Sequence, residues 1–210
     1  MKILAIEFSS EHRSVAVLDG ERLLAEQTVT AGRHTAAVAL IETALGQAGV
    51  DRSEIDGIAV GVGPGSYTGI RAAIALTQGW QIALGVKVQG VDSLESLAKG
   101  EQSAGRRGEI TLAVDAQRRE VYLAKFELNE EGIRNTEPTR LAKRAEYESM
   151  LAAGSSVIGP TAGNGFPAAE YVGRLAAGRS DFVEASTLEP VYLRQLDFVK
   201  APLLREIPPI

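Results

Sequence analysis

A chain of 210 residues with 45% apolar side chains and a formal charge of −5 is long enough to bury a core without staples and too apolar for a disordered chain. The acidic balance argues against a broad basic face for nucleic acid, and the lack of cysteine excludes disulfides and thiolate metal sites. No run of about 18 uninterrupted apolar residues occurs, and Met1 leads into a run that meets Glu7 too early for a signal-peptide core. The expectation is a cytoplasmic protein with no membrane contact.

The first thirty residues read as three strands, Lys2 to Phe8, Arg13 to Leu18 and Arg22 to Val29, with Asp19-Gly20 as a hairpin signal. After Gly32 the period changes to that of a helix. His34, Val38, Ile41, Leu45 and Ala48 share one face, and the helix ends near Gly49. An acidic segment, Asp51 to Asp56, precedes a buried-strand run from Gly57 to Val62. Then comes the loop Gly63-Pro64-Gly65-Ser66-Tyr67-Thr68-Gly69, followed by an apolar helix from Ile70 to Leu84, a strand at Val86 to Val88 and a helix near Asp92 to Lys99. Strand, loop, helix and strand in that order form a βαβ unit added to an antiparallel meander.

Residues 100–108 turn polar and mark a boundary, giving an expected division into 1–104 and 105–210. A second series opens as the first did: strands Glu109 to Val114, Glu120 to Leu128 and Ile133 to Thr139, with a turn at Asn129 to Gly132. A helix over Arg144 to Ala153, a short strand Ser156 to Ile158 and a helix over Pro167 to Ala177 complete it.

The glycine loop stands out. Glycines permit positive φ and close approach of other groups, Pro64 stiffens the turn, and Ser66 or Thr68 can cap the helix that follows. Free N–H groups at such a helix start can cradle an anion, while a tight, well-capped turn explains the same residues. Nucleophilic and metal chemistry find less support. Ser66 is not in a G-x-S-x-G elbow, His12 and His34 stand far apart without helical i, i+4 partners, and His34 reads as a residue of the first helix start. Neither a catalytic residue nor a metal or other cofactor is assigned.

The second helix is apolar nearly all round, its exceptions being Arg71, Thr77, Gln78 and Gln81. Such a helix must be covered on every side. One side packs on the sheet; the other is covered either by the first helix or by another subunit. In the latter case Arg71, Ile74, Gln78 and Gln81 form the outer stripe, with small Ala75 allowing close approach.

Two halves of similar order, each opening on a strand that ends in an acidic residue, resemble the actin, sugar kinase and Hsp70 superfamily. The expected fold is therefore α/β, with two similar ribonuclease H-like halves whose mixed sheets are flanked by helices. The phosphate hairpins of that superfamily are impoverished here: Ile6-Glu7-Phe8-Ser9-Ser10 offers Glu7 where Asp is usual and has no glycine, and Asp115 is followed by no glycine. Glu7, Ser9, Gly63, Gly65, Ser66 and Asp115 are kept as vestigial nucleotide or phosphate contacts.

At finer grain, the segments Ile3 to Glu7, Ser14 to Val17, Arg33-His34-Thr35, Gly61 to Arg71, Gln89 to Leu94, Asp115-Ala116 with Glu120-Val121-Tyr122, and Glu189-Pro190-Val191-Tyr192-Leu193-Arg194 resemble the TsaB (YeaZ) family over nearly the whole chain. The resemblance implies a non-catalytic partner of the TsaD transferase in making N6-threonylcarbamoyladenosine beside the tRNA anticodon, as a scaffold that a TsaE-like ATPase joins. It implies only indirect contact with tRNA, and self-pairing when the chain is alone. His34, Val38, Ile41, Leu45, Arg71, Ile74, Gln78 and Gln81 are the implied docking residues. The competing expectation is a weak ATPase or a relic glycoprotease-like enzyme. Glu7 in place of Asp and Trp80 in place of a smaller aliphatic residue depart from the family pattern.

Overall fold

The computed structural model describes residues 1–30 and 37–193. Strands β1 (Lys2–Glu7), β2 (His12–Asp19) and β3 (Arg22–Thr30) form an antiparallel meander, and α1 (Ala37–Ala48) follows. Strands β4 (Gly57–Gly61) and β5 (Lys87–Val91), joined by α2 (Tyr67–Leu84), add in parallel to β1, so the sheet order is β3-β2-β1-β4-β5. Helix α3 (Ser93–Ser103) leads to a second sheet of β6 (Gly108–Asp115), β7 (Glu120–Leu128), β8 (Ile133–Lys143) and β9 (Val157–Ile158), with α4 (Arg144–Ala152) before β9 and α5 (Ala169–Ala177) after it. Its order, β8-β7-β6-β9, repeats that of the first four strands. This is the two-lobed, mixed-sheet architecture of the actin and sugar kinase type.

The strands near the centre of the first sheet are buried on both faces, which explains their unbroken apolar runs. Leu4 and Ile6 of β1 face α1 and α2, where Leu40, Ile41, Leu45, Ile70, Ala73 and Ile74 complete one core. Ile3 and Ala5, one residue out of phase, face α5 through Ala169, Val172 and Ala176. Helix α3, written in the first half of the sequence, supplies Leu94, Leu97 and Ala98 to the core of the second sheet. Each lobe thus borrows a helix from the far side of the polar boundary.

Several element ends differ from expectation, each for a local reason. Strand β8 continues past Thr139 to Lys143, because Pro138 falls where the β7–β8 register shifts on an edge strand and its missing N–H breaks no ladder. Helix α2 begins at Tyr67, three residues early, because Ser66 caps it by accepting the Gly69 N–H at 3.3 Å. Helix α5 begins at Ala169, two residues late. Its first N–H groups are taken by Ser14 Oγ at 2.7 Å and Glu26 Oε1 at 3.0 Å from the first sheet.

The seat of α5 rests on Gly173, where a Cβ would lie 2.3 Å from Leu18 Cδ1 and 3.2 Å from the Ala5 Cβ. Gly173→Val is expected to destabilise the fold by about 1–3 kcal/mol through overpacking, read as a lower urea midpoint at unchanged slope.

Candidate functional site

Glycines of the loop and the strand before it lie against the end of β1. A Cβ at Gly61 would fall 2.0 Å from Glu7 Oε2, one at Gly65 2.1 Å from the Ser9 carbonyl oxygen, and one at Gly69 2.0 Å from that of Phe8. The Ser66 N–H donates to the Ser9 carbonyl at 2.7 Å. Close contact with the Glu7 carboxylate and with the Ser9 and Phe8 carbonyls therefore accounts for these glycines, with no phosphate needed between the segments. The Gly63–Pro64 peptide bond is cis.

Glu7 has no accessible surface. Its Oε1 accepts the Ser9 N–H at 2.6 Å and its Oε2 accepts the Ser93 hydroxyl at 2.8 Å. Ser93 Oγ in turn accepts the Gly63 N–H at 3.1 Å, and the Ser93 N–H donates to the Gly63 carbonyl at 2.8 Å. The carboxylate thus links β1, the loop and the start of α3, and burial pushes its pKa up against the pull of these hydrogen bonds. Beside it, Asp92 caps α3 by accepting the N–H groups of Leu94 and Glu95 at 2.8 and 3.1 Å. Burial raises the Asp92 pKa from 3.8 to about 6, with Glu95 adding to the rise and Arg179 opposing it.

A cleft of about 1180 Å³ opens between the lobes. Ser9, Ser10, Glu11 and Arg13 line it from the β1–β2 hairpin, Gly65 to Thr68 and Arg71 from the loop and first turns of α2. Asp115 to Arg118 and Tyr122 line it from the second sheet, together with Pro160, Thr161 and Tyr192. Of the expected phosphate contacts, Ser9, Gly65, Ser66 and Asp115 meet here, while Glu7 and Gly63 are withdrawn into the hydrogen-bonded link below. Asp115 is tied to its own turn, its carboxylate accepting the Gln117 N–H at 3.1 Å and the Gln117 side-chain amide at 2.9 Å. In that turn Gln117, Arg118 and Arg119 all have positive φ, near 63, 54 and 63°. The sequence offers no glycine to announce it.

The solvent-exposed stripe of α2 is rotated from the one expected to dock. Ile74 lies in the core, as do Ile41 and Leu45 on α1. Gln78 Nε2 donates to the Ala185 carbonyl at 3.1 Å and Gln81 Oε1 accepts the Ala185 N–H at 2.7 Å, so both amides hold the returning C-terminal segment. Arg71 lies over the Tyr67 ring at 5.2 Å on the cleft rim. Gln78 and Gln81, expected on an outward face, instead satisfy backbone groups of the same chain, while Arg71 stays exposed. One position further along, Thr68, Ala72, Ala75, Gly79, Ile82 and Ala83 form the exposed face, with Ile82 87% exposed. Val38 is open on α1 at 59%, Trp80 is half-buried against the core, and His34 lies outside the described residues. No group of three or more potential metal ligands occurs among the described residues.

The profile of the TsaD family, described as tRNA N6-adenosine threonylcarbamoyltransferase, matches residues 28–185. The tRNA threonylcarbamoyladenosine biosynthesis protein TsaB of Escherichia coli is 31% identical over 70% of this chain and 64% of its own length. TsaB of Haemophilus influenzae is 27% identical over 60% of this chain and 53% of its own. The chain therefore spans between half and two thirds of these relatives. A solved structure of YeaZ from Pseudomonas aeruginosa superposes with a TM-score of 0.79 at 28% identity, covering 91% of this chain and 99% of that one. The chain belongs to the TsaD family, on its TsaB (YeaZ) side.

Ser93→Ala would leave Glu7 Oε2 and the Gly63 N–H without a partner in a dry interior, and a loss of about 2–4 kcal/mol is expected by chemical denaturation. Asp92→Asn keeps the cap and removes the buried charge. Because the folded pKa of Asp92 lies above its ordinary value, its ionised form costs stability that is absent below pH 3.8, grows between 3.8 and about 6, and is complete above that. The variant should therefore melt higher than the parent at pH 8, by a margin on the order of 3 kcal/mol. The margin should close as the pH falls to 4.

Proposed function

We propose that this member of the TsaD family is a non-catalytic partner of a TsaD-like transferase in the synthesis of N6-threonylcarbamoyladenosine in tRNA, and that it docks through α2 and the neighbouring surface of α1. The observation that carries this is the open face of α2. Along it, Ala72, Ala75 and Gly79 leave no side chain larger than a methyl group, and Ile82, Ala83 and Leu84 follow as exposed apolar surface. A second helix can approach such a face closely and cover apolar area that a solitary chain leaves wet. Val38 on α1 extends the surface.

Two further features favour a scaffold over an enzyme. Glu7, at the place where a catalytic relative would aim a carboxylate at metal or phosphate, is a wholly buried strut, and Gly65 and Gly69 of the loop lie against the chain's own backbone. The names of the relatives supply the pathway. In this proposal the transferase carries the chemistry and most of the tRNA contact, a TsaE-like ATPase joins the assembled pair, and two copies of this chain pair through the same face when the transferase is absent. The work is cytoplasmic; no helix among the described residues is long and apolar enough to cross a membrane.

Gly79→Arg tests the docking face without disturbing the fold, because a Cβ there meets nothing within 4 Å and arginine is the better helix former by up to about 1 kcal/mol. The variant should melt no lower than the parent yet fail to co-elute with a TsaD-like transferase in size-exclusion chromatography, as should Ile82→Glu. Co-elution retained by both would refute the assignment of this face.

A further inference from the structure

Trp80 is the chain's single tryptophan, and it lies at the border of the proposed docking face. Helix α1 packs over β2 and β3, and α2 over β1, β4 and β5. Gln78 and Gln81 turn toward the C-terminal segment, which reaches the free edge of β5 where Val183 meets Val88. The opposite flank of α2, carrying Leu76 and Trp80 at i, i+4 spacing, therefore faces α1. Ala72 and Ala83 adjoin that flank on the open face. The Trp80 ring packs against the first core and keeps part of its surface in solvent. Its indole N–H has no hydrogen-bond partner among the described residues and is not sealed from water.

A helix laid along Ala72, Ala75, Gly79 and Ala83 would reach this border and close water off the indole. A covered indole N–H needs an acceptor, and one left without it costs roughly ten- to a hundredfold in affinity. A second copy of the chain offers poor acceptors. Beyond Thr68 and Arg71 in its first turns, the open face of α2 is alanine, glycine, isoleucine and leucine, and Gln78 and Gln81 are committed to Ala185. On the exposed side of α1, Glu42 pairs with Arg52, Gln47 Oε1 accepts the Gln27 side-chain amide at 2.7 Å, and the Thr43 hydroxyl donates to the Ala39 carbonyl at 2.8 Å. Tryptophan is also among the residues that most often carry the affinity of an interface.

We propose that Trp80 is the residue by which the docking face selects its partner. The indole N–H donates to an acceptor side chain on an apolar helix of the TsaD-like transferase, and the same N–H, finding no acceptor on a second copy, weakens self-pairing. This inference rests on the proposed docking through α2 and adds to it the chemistry that the partner must present.

Because Trp80 is the one tryptophan, labelling the full chain with fluorotryptophan gives a single fluorine resonance that reports on this position. On saturation with unlabelled transferase the resonance should shift and lose its response to exchange of light for heavy water, as solvent leaves the ring. Replacing Trp80 by benzothienylalanine, an isostere with sulfur in place of the N–H, should weaken docking about tenfold by calorimetry. The same replacement should leave the melt unchanged and leave self-pairing, followed by sedimentation, no weaker than in the parent. A ring that only fills space would weaken both associations alike or neither. A resonance unmoved in a complex that co-elutes, docking indifferent to the isostere, or self-pairing weakened as much as docking each overturns this inference and leaves docking through α2 standing. Failure of the unmodified chain to co-elute with the transferase overturns both.

Discussion

The contact on which the rest of the molecule depends is the one between the end of β1 and the glycine loop. Gly65 and Gly69 bring backbone against the carbonyl oxygens of Ser9 and Phe8 at distances that no side chain could share. The Glu7–Ser93–Gly63 chain of hydrogen bonds adds the start of α3 to the same junction. One buried carboxylate therefore fixes three segments at once: the first strand, the launch of α2 and the turn into the helix that serves the second lobe. Such a group is expensive to bury and is held because the Ser9 N–H and the Ser93 hydroxyl donate to it. The arrangement turns the Gly63 and Ser66 N–H groups onto the chain's own oxygens, which withdraws them from any phosphate.

Much of this was legible in the sequence. Unbroken apolar runs in β1 and β4 announced strands buried on both faces, and the shared order of the two halves announced two sheets of one design. The loop was conspicuous, and its capping serine identifiable. Its purpose was not, because glycines that admit a ligand and glycines that admit another stretch of backbone look alike in a sequence. Only the position of Phe8 and Ser9 separates the two cases. Glu7 posed a similar ambiguity: the residue type is that of a metal or phosphate contact, and its seclusion depends on Gly61 and Ser93, which are 54 and 86 residues away along the chain.

The solvent-exposed stripe of α2 differs from the one its polarity suggests for a more instructive reason. Polar residues on an otherwise apolar helix ordinarily mark its outer side. Gln78 and Gln81 instead serve the backbone at Ala185, more than a hundred residues later, and Val191 donates to the Val62 carbonyl nearby. An edge built from a distant, irregular segment needs hydrogen-bond partners, and glutamine side chains on the adjoining helix provide them. The exposed face is left to alanine and glycine. A rotation of one residue, about 100° around the axis, separates the stripe that polarity suggests from the one that solvent reaches.

Helix α2 thereby serves two surfaces with different residues. Its first turns, through Ser66, Tyr67 and Arg71, form one wall of the cleft, while Ala75, Gly79 and Ile82 form the open face further along. Both are anchored by the same junction, since Ser66 is pinned to Ser9 and Ile70 and Ala73 are in the core. Because an α-helix is stiff over its 18 residues, displacement at either end carries to the other. A helix that is seated on backbone rather than on a ligand keeps its orientation whether the cleft is filled or empty. That suits the proposed role of offering a fixed surface to a partner, and under that proposal any influence of the cleft on docking lies in the few side chains of the first turns rather than in the position of the helix itself.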